Sequence, residues 1–115
     1  MRKRVFGLVT VFAVIIGISA TSLANSSYSH SYSSHKETCS ITVSGSDTYN
    51  AVVQTKVYNN NGTILDSDSA SNTSLKSTTL STSSYSSSAT HGYWYAHCSN
   101  NQHSNEHFTY DGIDS

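Results

Sequence analysis

The chain has 115 residues, of which 11% are Asp, Glu, Lys or Arg, with six histidines, eight tyrosines, two cysteines and no proline. Three of its six basic residues are Arg2, Lys3 and Arg4; beyond them Lys36, Lys56 and Lys76 face seven acids, a net of −4. That balance leaves no electrostatic footprint for nucleic acid or for an anionic membrane, and the length suits one domain.

The first four residues, Met1-Arg2-Lys3-Arg4, are a positive cluster. An apolar run follows from Val5 to Ile18, interrupted only by Gly7, Thr10 and Gly17, and then the small-residue break Ser22-Leu23-Ala24. This order is that of a secretory signal peptide. The run is shorter than the ~20 residues of a spanning helix. Residues 1–24 are therefore read as a leader cut after Ala24, with Ala20 as the second choice. No cysteine stands at the cut and no apolar tail follows Asp114-Ser115, so the expected product is a released extracellular protein without stable membrane insertion.

Residues 25–38 read as an N-terminal arm or an edge strand. Tyr28, His30 and Tyr32 share one parity and serines fill the other. The stretch Cys39-Ser40-Ile41-Thr42-Val43 is a clearer strand, with Cys39, Ile41 and Val43 facing one way. Gly45-Ser46-Asp47 marks a turn. Tyr49 to Tyr58 alternates again, with Ala51, Val53 and Val57 on one face and Gln54, Lys56 and Tyr58 on the other. Asn61-Gly62 then predicts a hairpin, because both residues accept positive φ, and Thr63 to Asp66 is its return strand. From Asp66 to Thr90 the chain is Ser/Thr-rich, with Leu75, Leu80 and Tyr85 its only large apolar residues. It reads as disordered or as edge strands with outward hydroxyls.

The most informative stretch runs from His91 to Cys98. It holds the only Trp. Trp94, Ala96 and Cys98 fall on one face, and Tyr93, Tyr95 and His97 on the other. A last strand is predicted around His107-Phe108-Thr109-Tyr110. With no proline and no sustained helical period, residues 39–115 are expected to form an all-β domain: a small antiparallel β-sandwich of about six or seven short strands. Export would make Cys39 and Cys98 a disulfide, closing a loop of ~60 residues and contributing ~4 kcal/mol. The pattern is not that of an immunoglobulin domain, since the Trp shares the second cysteine's strand.

Chemistry is sparse. His103-Ser104-Asn105-Glu106-His107 spells H-x-x-E-H, the inverted zinc-peptidase motif, which requires a helix. Asn and Ser inside the motif disfavour one, and on a strand the two histidines would stand about 13 Å apart. No nucleophile elbow or phosphate loop is present. No enzyme activity, cofactor or metal is expected; His97, His103 and His107 are the nearest approach to a metal cluster. The outward aromatic face is more informative. Tyr93, Tyr95, His97 and Tyr58 form a candidate binding face, which Tyr28 and Tyr32 could extend, because Tyr offers contact area at low entropy cost plus a hydroxyl.

Two pieces of the chain resemble the lactococcin-type β-sandwich bacteriocins of Gram-positive bacteria. One is Tyr28-Ser29 with Tyr32, running into Ser40-Ile41-Thr42-Val43. The other is Gly92-Tyr93-Trp94 with Ala96, followed by Phe108-Thr109-Tyr110. The cysteines, the Ser/Thr-rich middle and the finish Asp111 to Ser115 depart from that pattern. The resemblance implies a secreted antagonist acting on the cell-wall precursor lipid II, with no catalytic residues. The residues themselves point to a small secreted non-enzymatic protein that binds an extracellular protein, a glycan or a cell-wall component.

Overall fold

The computed structural model describes residues 17–19 and 23–115; the rest of the expected leader lies outside the described residues. Among these residues are eight strands and no helix. They are β1 (Gly17–Ser19), β2 (Ser26–Ser33), β3 (Lys36–Val43), β4 (Tyr49–Tyr58), β5 (Ile64–Leu75), β6 (Thr79–Tyr85), β7 (His91–Asn100) and β8 (His107–Asp114). Every pairing is antiparallel. One sheet has the order β1-β2-β3-β6 and the other β5-β4-β7-β8. The two lie face to face as a sandwich, with several strands longer than expected.

The core follows from period-two alternation on both inner faces. β3 contributes Cys39, Ile41 and Val43; β4 contributes Tyr49, Ala51, Val53 and Val57; β7 contributes Trp94, Ala96 and Cys98. Each large buried apolar side chain stabilises the fold by about 1.5–3 kcal/mol. Leu23 is also a core residue at 2% exposure, although it precedes the expected cut after Ala24. The Tyr49 hydroxyl donates to the Ala24 carbonyl oxygen at 3.3 Å, holding this entry segment against β4.

The Asn59–Thr63 hairpin joins β4 to β5. The Asn59 carboxamide oxygen accepts from the Asn61 and Thr63 amides at 2.9 and 3.1 Å. Gly62 alone in this loop takes positive φ, 79°, so the turn is wider than a two-residue Asn-Gly reversal. The Ser/Thr-rich stretch is ordered, and hydroxyls explain how. Outside the first sheet Ser40 bonds Ser81 at 2.9 Å and Thr42 bonds Thr79 at 2.8 Å. Between the sheets, Ser84 Oγ donates to the Thr55 carbonyl oxygen at 3.0 Å and lies 2.7 Å from Thr55 Oγ1. This buried pair ties β6 to β4 with its polar atoms satisfied.

The expected disulfide is not formed: Cys39 and Cys98 are both free and buried. Both side chains do face the core, but they are offset along the strands. The Cys39 thiol donates to the Tyr95 carbonyl oxygen at 3.4 Å. Cys98 lies three residues further along β7, about 10 Å at the usual strand rise, beyond the reach of a disulfide. Burial first, then the charges of Glu37 and Asp114, push the Cys39 thiol up to about 12. Burial pushes Cys98 up to about 11. Both are neutral, poorly nucleophilic thiols.

Candidate functional site

The outer face of the second sheet carries the predicted aromatic residues. Cross-strand register sets Lys56 beside Tyr93, Gln54 beside Tyr95 and Tyr58 beside His91. On the other side of β7, Tyr93 is opposite Ile113, Tyr95 opposite Asp111 and His97 opposite Thr109. Tyr58, Tyr93, Tyr95 and His97 are therefore on one face, each half-buried by its neighbours. The Tyr93 hydroxyl donates to Asp111 Oδ2 at 3.2 Å, and its pKa is raised by burial and then by that carboxylate. Lys56 Nζ lies 5.5 Å from the centre of the Tyr93 ring, a cation–π contact. His97 Nδ1 is 2.8 Å from Thr109 Oγ1. The Tyr58 and His91 rings stack at 5.1 Å and 7°. Towards β5 the face falls into a shallow polar groove lined by Gln54, Lys56, Ser67, Asp68 and Ser69.

Tyr28 and Tyr32 do not extend this face. They point between the sheets, because β2 pairs with β3 in a register that sets Tyr28 opposite Ile41 and Tyr32 opposite Glu37. Tyr28 is buried and stacks on Trp94 at 5.4 Å and on Tyr110 at 4.9 Å. The histidines that came nearest to a metal cluster do not gather one. His97 is mid-strand and bonded to Thr109. His103 is in the β7–β8 turn, where the Glu106 amide donates to its carbonyl oxygen at 2.8 Å. His107 begins β8. The H-x-x-E-H segment is a turn entering a strand, so it lacks the helix its chemistry needs.

A second constellation was missed by the sequence reading. His30 on β2, Glu37 on β3 and Asp114 on β8 bring one ligand atom each to within 4.8 Å of one another. His30 Nδ1 is 2.8 Å from Asp114 Oδ2. Trp94 lies flat against the His30 ring, at 4.0 Å and 8°. Glu37 is fully buried, and neither of its carboxyl oxygens has a partner in hydrogen-bonding geometry. Burial first, then the nearby Asp114 carboxyl, push its pKa up to about 11. The Glu37 carboxyl therefore holds its proton at neutral pH. Burial and then the Glu37 charge also push Tyr32 up to about 12. Parity could have found the site: Glu37 continues the inward face of Cys39 and Ile41, and Asp114 that of Phe108.

Comparison with protein families, with curated proteins and with solved structures finds no match. Function therefore rests on the residues of this chain.

Proposed function

We propose that this is a small secreted, non-enzymatic protein of the cell envelope or extracellular space, and that the outer β4–β7–β8 face is its contact surface. The observation that carries the reading is the row Tyr93, Tyr95 and His97, with two of its three rings tethered by hydrogen bonds to β8. Ordered rings lose little freedom on binding, and tyrosines among hydrogen-bonding groups suit a glycan, a cell-wall polymer or a protein surface. The test is retention on purified bacterial envelopes. Tyr93→Ala with Tyr95→Ala is expected to weaken binding at least about tenfold, whereas Tyr85→Ala, an exposed Tyr on the other sheet, leaves it unchanged. Equal retention of the double variant and the native protein would sink the reading.

The core position of Leu23 favours a cut after Ala20 over one after Ala24, which would remove that side chain from the sandwich. The intact mass of the exported protein checks this together with the thiols. A chain starting at Thr21 whose mass does not change on reduction is expected; a start at Asn25, or a gain of two hydrogens, counts against it.

A second reading is a bacteriocin-like antagonist of the cell-wall precursor. It is supported by the meeting of both pieces that carry the resemblance: Tyr28 packs against Trp94, Phe108 and Tyr110. Clear zones on Gram-positive lawns, abolished by premixed lipid II, would put this reading first; lawns without zones would remove it.

A further inference from the structure

We propose that His30, Glu37 and Asp114 bind one divalent first-row transition ion of the zinc class where β2 and β8 meet. The proposal is independent of the outer face. Three observations carry it. The three donor atoms come from both sheets and converge within 4.8 Å. Glu37 is fully buried without a hydrogen-bond partner. The chain also makes room for that carboxyl: Gly92 on β7 sits so close that a Cβ there would lie 2.7 Å from Glu37 Cβ and 3.0 Å from its Cδ.

A buried carboxyl without a partner is costly to fold, and native proteins rarely keep one without a use. A divalent ion supplies the missing partner and balances the two carboxylates, leaving a neutral cluster with a neutral imidazole. One imidazole nitrogen with two carboxylates suits zinc and its neighbours; calcium and magnesium prefer all-oxygen shells. Zinc bonds of ~2.0 Å place ligand atoms ~3.3 Å apart in a tetrahedron, so side-chain movements of about 1 Å close the shell. The stacked Trp94 fixes the imidazole plane, and the 2.8 Å contact with Asp114 already aims Nδ1 at the carboxylate.

The only Trp in the chain reports on the site. The full exported protein, stripped with chelator, is titrated with zinc while Trp94 fluorescence and the thermal midpoint are followed. The expected result is one ion per chain, a change in Trp94 emission, and a midpoint raised by about 10 °C at a hundredfold excess over Kd. Asp114→Asn and Glu37→Met should weaken binding at least tenfold. Glu37→Met fills the same space without a carboxyl, so it keeps the fold, and lost binding there is not misfolding. The variant His103→Ala with His107→Ala should bind like the native protein. No binding at micromolar zinc, binding that survives Glu37→Met, binding lost with the exposed histidines, or a response to calcium alone would each overturn the assignment.

Discussion

Replacing Glu37 with Gln is expected to flatten a fall of stability with rising pH that the metal-free native protein shows. The folded protein holds the Glu37 proton up to about 11, against 4.5 for the free side chain. Between those values the folded state binds one proton more than the unfolded chain, so stability decreases as pH rises. The contribution is complete below the unfolded pKa and is lost on approach to the folded one. The slope is about 1.4 kcal/mol per pH unit. Gln has no proton to release, so the difference between the two proteins reports the titration of Glu37 together with its coupling to Asp114. Glu37→Met should go further and exceed the native chain in stability at pH 8 by about 2 kcal/mol, because it removes a buried polar group that has no partner. Urea midpoints from pH 5 to pH 8 in excess chelator make the measurement; parallel profiles for native and Glu37→Gln would refute it.

Gly92→Ala is expected to destabilise the protein by about 1–3 kcal/mol, the usual range for overpacking a closed core. The new methyl group would meet Glu37 Cβ at 2.7 Å. That atom is anchored to the β3 backbone and cannot rotate away, unlike the end of a long side chain. The carboxyl atoms add to the conflict, so Glu37→Ala should recover part of the loss. A double-mutant cycle by urea denaturation is expected to show coupling of at least about 1 kcal/mol. Additive effects would mean that Gly92 is kept for a reason other than Glu37.

The strands that could be read from the sequence are those whose alternation includes apolar residues. Ile41 and Val43, Ala51 and Val53, and Trp94 and Ala96 set the inward faces of β3, β4 and β7, and these faces make most of the core. The outer row Tyr93, Tyr95 and His97 followed at once, since a strand has only two sides. β5 and β6 were ambiguous because their order comes from hydroxyl pairing across strands, which composition does not reveal. The β2–β3 turn gave no signal: Ser34 and His35 take φ of 54° and 68° without a glycine, and His35 Nδ1 is held 2.8 Å from the Ala89 carbonyl oxygen. Parity brought both cysteines inward correctly but says nothing about position along the strand axis, and that offset is what keeps the thiols apart. Glu37 was passed over because a carboxylate is assumed to face water, although its place in the alternation is that of Cys39 and Ile41.

The two long sides of the sandwich are closed by different means, and the molecule is accordingly built like a book. Its spine is the β5–β6 side, where the Tyr85 amide donates to Asp66 Oδ2 at 3.0 Å and the Thr55–Ser84 pair is sealed in behind. Its fore-edge is the β2–β8 side, fastened by the His30–Asp114 contact and a few stacked rings. Opening costs least where fewest bonds must break together, so the fore-edge is where the covers are expected to part first. Whatever fastens His30 to Asp114 then sets how often the interior, with Glu37 and both thiols, meets solvent.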